Sequence, residues 1–344
     1  MTYLARRASP QLPCAGSMFK YVLLSLLLGC SGSWGAVAFE SAHVLVVDEA
    51  SSEILLSKNV DGTAPIASLT KLMTAMVVLD ARQDPNEDLR IDVADTDALK
   101  HSHGGVRVGA VASRGSLLEL ALLASDNRAA SALARSYPGG LLAFDAAMQR
   151  KIHALGLART SITEPTGLSP NNVSSVQDMV QVLRAAARYP VIGQITSQRS
   201  LAVLVSGRRG VVRNTNGLVG GPDWQVLLSK TGFTNEAGRC LGMRAEAGGR
   251  TVTVVLLGAA KPSQRARDAM TIRRWLVAEA PAAPAPAAIA STRVVVRRTR
   301  GGAESEPRQA TAGALGAVAL IVEPGVDKPA QDGMVVGPAD SDAE

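Results

Sequence analysis

The sequence predicts an α+β fold, an antiparallel sheet flanked by helices with a helical lobe inserted between its strands. Three observations carry this. Strand-like runs stand at both ends of residues 39–280 and helical runs fill the middle. The terminal strand runs pair through short turns, as antiparallel neighbours do. The order is strands, helices, strands, helix rather than the regular alternation of a parallel sheet.

In chain order, Ala42 to Val47 and Glu53 to Ser57 are apolar runs around Asp48-Glu49-Ala50-Ser51-Ser52, the pattern of a hairpin. Asp61-Gly62-Thr63-Ala64-Pro65 reads as a loop. Ala67 to about Ala81 reads as a helix, apolar nearly all round after Lys71, and such a helix is buried. Asp84 to Gly115 is polar and turn-rich, with strand-like pieces at Leu89 to Val93 and Val106 to Val108. Gly115 to Leu123 is a helix that stops at Ser125-Asp126-Asn127, and Arg128 to Tyr137 starts another. Leu141 to Leu155 is helical and closed by Gly156, and Thr163 to Pro170 is a turn cluster. Ser175 to Tyr189 is a helix capped by Ser174 or Ser175, with Pro190 after it. Ser200 to Val205 and Gly210 to Asn214 suggest a second hairpin. Trp224 to Ser229 is a strand that leads into Lys230-Thr231-Gly232. Arg239 to Ala247 and Arg250 to Leu257 pair around Gly248-Gly249, and Ser263 to Ala278 is a closing amphipathic helix.

The chain has 344 residues, 47% hydrophobic and 19% charged, enough for a sizeable core. Residues 1–38 read as a secretory leader, with Met18 as an alternative start: Lys20, the apolar run Tyr21 to Leu28, then the small-residue site Ala36-Val37-Ala38. That run is too short to span a bilayer, so no transmembrane anchor is expected. A rival reading makes Leu27-Leu28-Gly29-Cys30 a lipoprotein signal with Cys30 lipidated. Cleavage after Ala38 removes Cys14 and Cys30, leaving Cys240 in an apolar run, where it reads as a small buried hydrophobe. It also removes Arg6, Arg7 and Lys20, taking the formal charge from +6 to +3. That mild charge suits an anionic wall polymer or simple solubility. No basic run is interleaved with aromatics, which argues against a nucleic-acid partner. Residues 281–344 open on Pro281-Ala282-Ala283-Pro284-Ala285-Pro286 and are rich in Ala, Gly, Pro and charge, the composition of a disordered tail.

Chemistry concentrates in three short motifs: Ser68-Leu69-Thr70-Lys71 at a helix start, Ser125-Asp126-Asn127 between helices, and Lys230-Thr231-Gly232 at a strand end. Each alone is weak; in this order and context they form a signature. Positions i and i+3 share a helix face, so the Ser68 hydroxyl and the Lys71 amine can meet. Ser68 is then the nucleophile and Lys71 its general base, provided the ammonium is desolvated or repelled by a second cation such as Lys230. Ser125 can relay a proton to a leaving amine, and Asn127 can hold Lys71 and the substrate backbone. Lys230 and Thr231 can bind a carboxylate or carbonyl, while Gly232 lets substrate approach the strand, along which an extended peptide can add. The amides of Ser68 and Phe233 are the expected oxyanion hole.

These motifs resemble the low-molecular-mass penicillin-binding proteins, the serine-type D-alanyl-D-alanine carboxypeptidase/endopeptidase family. The longer strings Ala67 to Ala81, Thr163 to Leu168 and Leu228 to Gly238 resemble its endopeptidase branch. The likeness covers about residues 40–280. It implies a β-lactamase/DD-peptidase-like fold and a periplasmic hydrolase without cofactor or metal. It further implies an acyl-enzyme on Ser68 formed from peptidoglycan stem peptides, cleavage of D-alanyl-meso-diaminopimelate cross-links, and covalent inhibition by β-lactam antibiotics. A carboxypeptidase removing terminal D-alanine, a β-lactamase and a non-catalytic wall-binding protein are the alternatives. A tail beyond residue 280 departs from the branch pattern.

Several tempting residues have plainer readings. Glu164 lies in a Pro/Gly turn and reads as a turn residue before it reads as a base for the deacylating water. His101 and His103 suit a solvated loop better than a metal site. Asp126 reads as a turn residue and Trp224 as packing, and nothing in the spacing decides between Arg199 and Arg244 as a carboxylate partner.

Overall fold

The structure is a computed structural model that describes residues 37–97 and 105–279. Residues 1–36 of the leader, His101, His103 and the tail from residue 281 lie outside the described residues.

Five strands form an antiparallel sheet in the order β2-β1-β11-β10-β9. They are β1 (His43–Asp48), β2 (Ile54–Lys58), β9 (Gln225–Thr234), β10 (Gly238–Ala247) and β11 (Arg250–Ala259). The chain's first and last strands thus meet at the centre of the sheet, β1 against β11. Period-two alternation gives the sheet two buried faces. Val44, Val46, Val252, Val254 and Leu256 pack with Ala269, Ile272 and Leu276 of the last helix, α7 (Pro262–Ala278). Leu45, Val47, Val255 and Leu257 turn to the other face and join the core of the helical lobe. Burial on both faces explains why these strands read as near-continuous apolar runs.

The lobe is built from α1 (Thr70–Asp80), α2 (Arg114–Leu123), α3 (Asn127–Arg135), α4 (Gly140–Ala154), α5 (Val176–Ala186) and α6 (Pro190–Thr196). Every residue of α1 from Thr70 to Val78 is buried, as its all-round apolar sequence requires. Caps set the helix starts: Asp126 accepts from Ala129 N at α3, and Ser175, not Ser174, accepts from Asp178 N at α5. The second hairpin is β7 (Ser200–Val205) with β8 (Arg208–Arg213).

Local expectations shift in four places. Thr63–Pro65 is not loop but a short strand, β3, paired with β6 (Val173–Ser175), a partner more than a hundred residues away. Pro190 does not simply follow a helix; it opens α6, where its missing N–H leaves no orphan donor. The α5 helix ends at Ala186, and Tyr189 closes a tighter turn onto Ala186 O. In the polar stretch the strands are β4 (Asp88–Arg90) and β5 (Val111–Ser113), so Val106 to Val108 lies outside the strand ladder. Val106 N instead donates to the Asp126 carboxylate at 3.1 Å.

Candidate active site

Ser68 lies in a 3₁₀ turn, Ala67–Leu69, that leads into α1. Before it, the chain is held by the β3–β6 ladder and by Ile66 N donating to Asn172 O at 3.0 Å. After it, α1 is locked in the core. The serine is therefore the junction of two fixed pieces, and Ala67 bends between them at φ +46°, a conformation unusual for a residue with a Cβ. Gly167, at φ +89°, faces this bend; a Cβ there would lie 2.0 Å from Ala67 O.

Lys71 is 1% exposed. Its Nζ donates to Ser68 Oγ at 2.8 Å, Asn127 Oδ1 at 2.6 Å and Thr166 O at 2.7 Å. The last two partners are carbonyl oxygens and can only accept. A neutral amine has two N–H groups, which these oxygens consume, leaving its lone pair aimed at the serine hydroxyl. Burial pushes the amine down to about 8, against the opposing charges of Glu164 and Asp126.

Lys230, on β9, is equally buried, and its Nζ donates to Ser125 Oγ at 2.8 Å and Thr231 O at 3.0 Å. Burial holds it well below the ordinary lysine range, reinforced by the charges of Lys71 and Arg265. Of the two causes the sequence left open, desolvation and repulsion from a second cation, desolvation is the main one for Lys71, and the second amine is depressed as well. A proton on either disfavours a proton on the other.

Five polar side chains of the three motifs thus form two hydrogen-bonded groups: Ser68, Lys71 and Asn127 in one, Ser125 and Lys230 in the other. Thr231 Oγ1 donates to Thr215 Oγ1 at 2.6 Å. Gly232 brings β9 against the serine turn, since a Cβ on it would lie 3.0 Å from Ser68 N. Phe233 follows on the strand, 38% exposed, with the Arg239 guanidinium 3.7 Å from its ring centroid. Among the described residues the strand's other side has no ladder partner, because β9 is the edge of the sheet.

Other residues take the plainer roles. Glu164 accepts from the backbone N–H groups of Thr166, Gly167 and Ser169 and from Asn172 Nδ2. It is the anchor of the turn that delivers Thr166 O to Lys71. Asp126 caps α3 and Trp224 is buried in the core on the α7 side. Arg244 pairs with Glu49 at 3.3 Å, and Arg199 packs its side chain near Gly220. Cys240 is fully buried with its thiol pushed up to about 11 by burial. Native protein at neutral pH will therefore leave Cys240 unmodified by iodoacetamide, and unfolding in guanidinium will expose it, as read by peptide mass mapping.

The sequence concealed three contributors. Thr166 O and Gly167 reach the site across 95 and more residues, and a turn motif carries no sign of what it will touch. Arg265 looks like one of many polar positions on α7, yet it is largely buried, and its charge is felt at Lys230.

A serine hydroxyl bonded to a buried, depressed lysine, with a second Ser/Lys pair and a sheet edge beside it, defines the class of serine acyl-transfer enzymes that use lysine in place of histidine. Residues 33–261 match the peptidase S11 family model, D-alanyl-D-alanine carboxypeptidase, and the chain belongs to that family of serine hydrolases. It is 44% identical over 238 residues to the D-alanyl-D-alanine endopeptidase of Pseudomonas aeruginosa, covering 69% of this chain and 77% of that one. The D-alanyl-D-alanine endopeptidase of Escherichia coli is 42% identical over the same shares. Among solved structures, the D-alanyl-D-alanine carboxypeptidase of Mycobacterium tuberculosis superposes with a TM-score of 0.64 at 30% identity, over 73% of this chain and 96% of that one. A mutant of the Streptomyces K15 DD-transpeptidase gives 0.65 at 25% identity, over 70% and 99%. No helix among the described residues is long and apolar enough to cross a membrane.

Proposed function

We propose that this chain is a serine DD-endopeptidase that cuts the bond between D-alanine and the side-chain amine of meso-diaminopimelate in cross-linked peptidoglycan. The observation that carries the chemistry is the Lys71 amine, directed at Ser68 Oγ while two carbonyl oxygens occupy its other positions. The endopeptidase relatives support the choice of bond.

In this reading an acyl-donor stem lies along the open edge of β9. Ser68 Oγ attacks the D-alanine carbonyl as its proton passes to Lys71 Nζ. The amides of Ser68 and Phe233 take the developing oxyanion. Ser125, backed by Lys230, gives its proton to the leaving amine and regains one from the Lys71 ammonium, so that the C–N bond breaks to leave an ester on Ser68 with Lys71 neutral again. Water then attacks the ester as neutral Lys71 takes its proton, the ester C–O bond breaks, and Lys71 returns that proton to Ser68 Oγ. Asn127 holds Lys71, and Lys230, Thr231 and Arg265 supply the positive and hydrogen-bonding surface for the substrate carboxylate. A β-lactam would acylate the same serine through its strained amide. Residues 1–38 serve as the leader that carries residues 39–280, the catalytic domain, to the periplasm, and residues 281–344 form a separate tail.

Purified cross-linked muropeptide dimers test this. Release of monomers with no loss of terminal D-alanine supports the endopeptidase; loss of D-alanine with intact dimers makes it a carboxypeptidase. Fluorescent penicillin should label the wild type and leave Ser68→Ala dark, and equal labelling would remove Ser68 as the nucleophile.

A further inference from the structure

We propose that a cavity beside the Ser125 loop seats the second stem peptide of the cross-linked substrate through its carboxylates, an inference that rests on the endopeptidase reading. The cavity, about 340 Å³, lies between residues 105–110 and the β7–β8 hairpin. That is the size of a site for a small ligand or a few residues of peptide. Val203, Val205 and Val212 line it, and Arg107, Arg208 and Arg209 stand around it. Among the described residues no acidic side chain lines it, and none is paired with these three arginines. Guanidinium groups over an apolar floor suit a carboxylate-bearing peptide with small apolar side chains, because carboxylates bind the planar fork in two places. A stem peptide has that chemistry: free carboxylates on its acidic residues and alanine methyls between them.

The position fits as well. Val106, in the cavity wall, donates its N–H to Asp126 at 3.1 Å and accepts from Arg128 Nη1 at 2.8 Å. These two residues flank Asn127, whose side chain is bonded to Lys71. The hairpin is tied to β5, which follows residues 105–110, by Ser206 N donating to Val111 O at 2.7 Å. This short chain of contacts joins the cavity wall to the loop that holds Asn127 against Lys71. An extended tetrapeptide spans about 13 Å. The stem that departs as the leaving amine has that reach, whereas a single D-alanine leaving group spans only one residue.

The test compares wild type, the double variant Arg208→Glu/Arg209→Glu on the exposed hairpin turn, and Arg107→Glu on the separate loop. Each is assayed for cleavage of purified muropeptide dimers and for acylation by fluorescent penicillin. Charge reversal should raise KM for the dimer by about tenfold or more, while penicillin acylation stays within about twofold. Dimer kinetics unchanged in both variants overturn the assignment, as does a loss of dimer cleavage matched by an equal loss of acylation. Sedimentation of the same variants reads the other occupant: a mass halved by charge reversal with dimer kinetics unchanged would make the cavity a self-association surface and overturn the proposal. Failure of the endopeptidase reading is distinct, since wild type itself would leave dimers intact, and the cavity assignment would fall with it.

Discussion

Replacing Lys71 by arginine will lower the rate of acylation by fluorescent penicillin by on the order of 10³-fold or more, within the scale of a lost general base. Arginine keeps the positive charge and can still donate to Asn127 Oδ1 and Thr166 O, but its guanidinium stays protonated and has no lone pair to offer. Lys71→Met should show the same loss without the charge. Stopped-flow or quenched labelling measures the rate, and a thermal melt establishes that each variant is folded. Acylation by either variant within tenfold of wild type would reassign the base. The wild-type rate should rise as pH increases through about 8, because the neutral amine is the reactive form, and both variants should lose that inflection.

The same burial has a consequence for stability. Lys71 sits below its unfolded value of 10.5, so between about 8 and 10.5 the unfolded chain binds more protons than the folded one. Stability attributable to this group therefore rises with pH across that window, and the burial penalty is fully present below it. Lys230 acts with the same sign. Urea midpoints at pH 8 and pH 10 should show a smaller gain for Lys71→Met than for wild type.

Gly167→Ala will nearly abolish acylation, by about 100-fold or more, and will lower stability by roughly 2–4 kcal/mol. Two effects add. A methyl at φ +89° costs about 1–2 kcal/mol in backbone strain. It would also stand 2.0 Å from Ala67 O and 2.8 Å from Ser68 N, so the Thr163 to Pro170 turn must retreat from the serine. That retreat takes Thr166 O away from Lys71 and shifts Ser68 N, and a displacement of about 1 Å is enough for such a loss. Gly249→Ala is the control. It has a similar positive φ of +73° but open space around the added methyl, so it should show only the strain cost and full acylation. If Gly167→Ala behaves like Gly249→Ala, the turn does not shape the site.

Much of the lobe was legible because its signals are local. The α1 helix announces itself by an apolar sequence on every face, α3 by its Asp126 cap, and the terminal hairpins by alternation around short turns. Strands β3 and β6 were hidden: three residues carry no period, and each exists only because the other lies beside it. Pro190 misled because proline both follows helices and begins them, and only the packing of α6 beneath β9 selects between the two.

The site divides along the same line. Ser68 and Lys71 are three residues apart on one helical turn, so helix geometry alone brings them into reach. The order of the three motifs then named the chemistry. What spacing could not supply was the reason Lys71 can act as a base. Sequence reasoning left burial and a second cation both open, and the depression comes first from complete burial, which arises from the closing of α3, the Glu164 turn and the sheet around one amine. Desolvation is a property of everything within several ångströms, contributed here by residues 95 and more positions distant in the chain. A motif can therefore state which groups react, while only the folded packing sets the protonation state in which they do so.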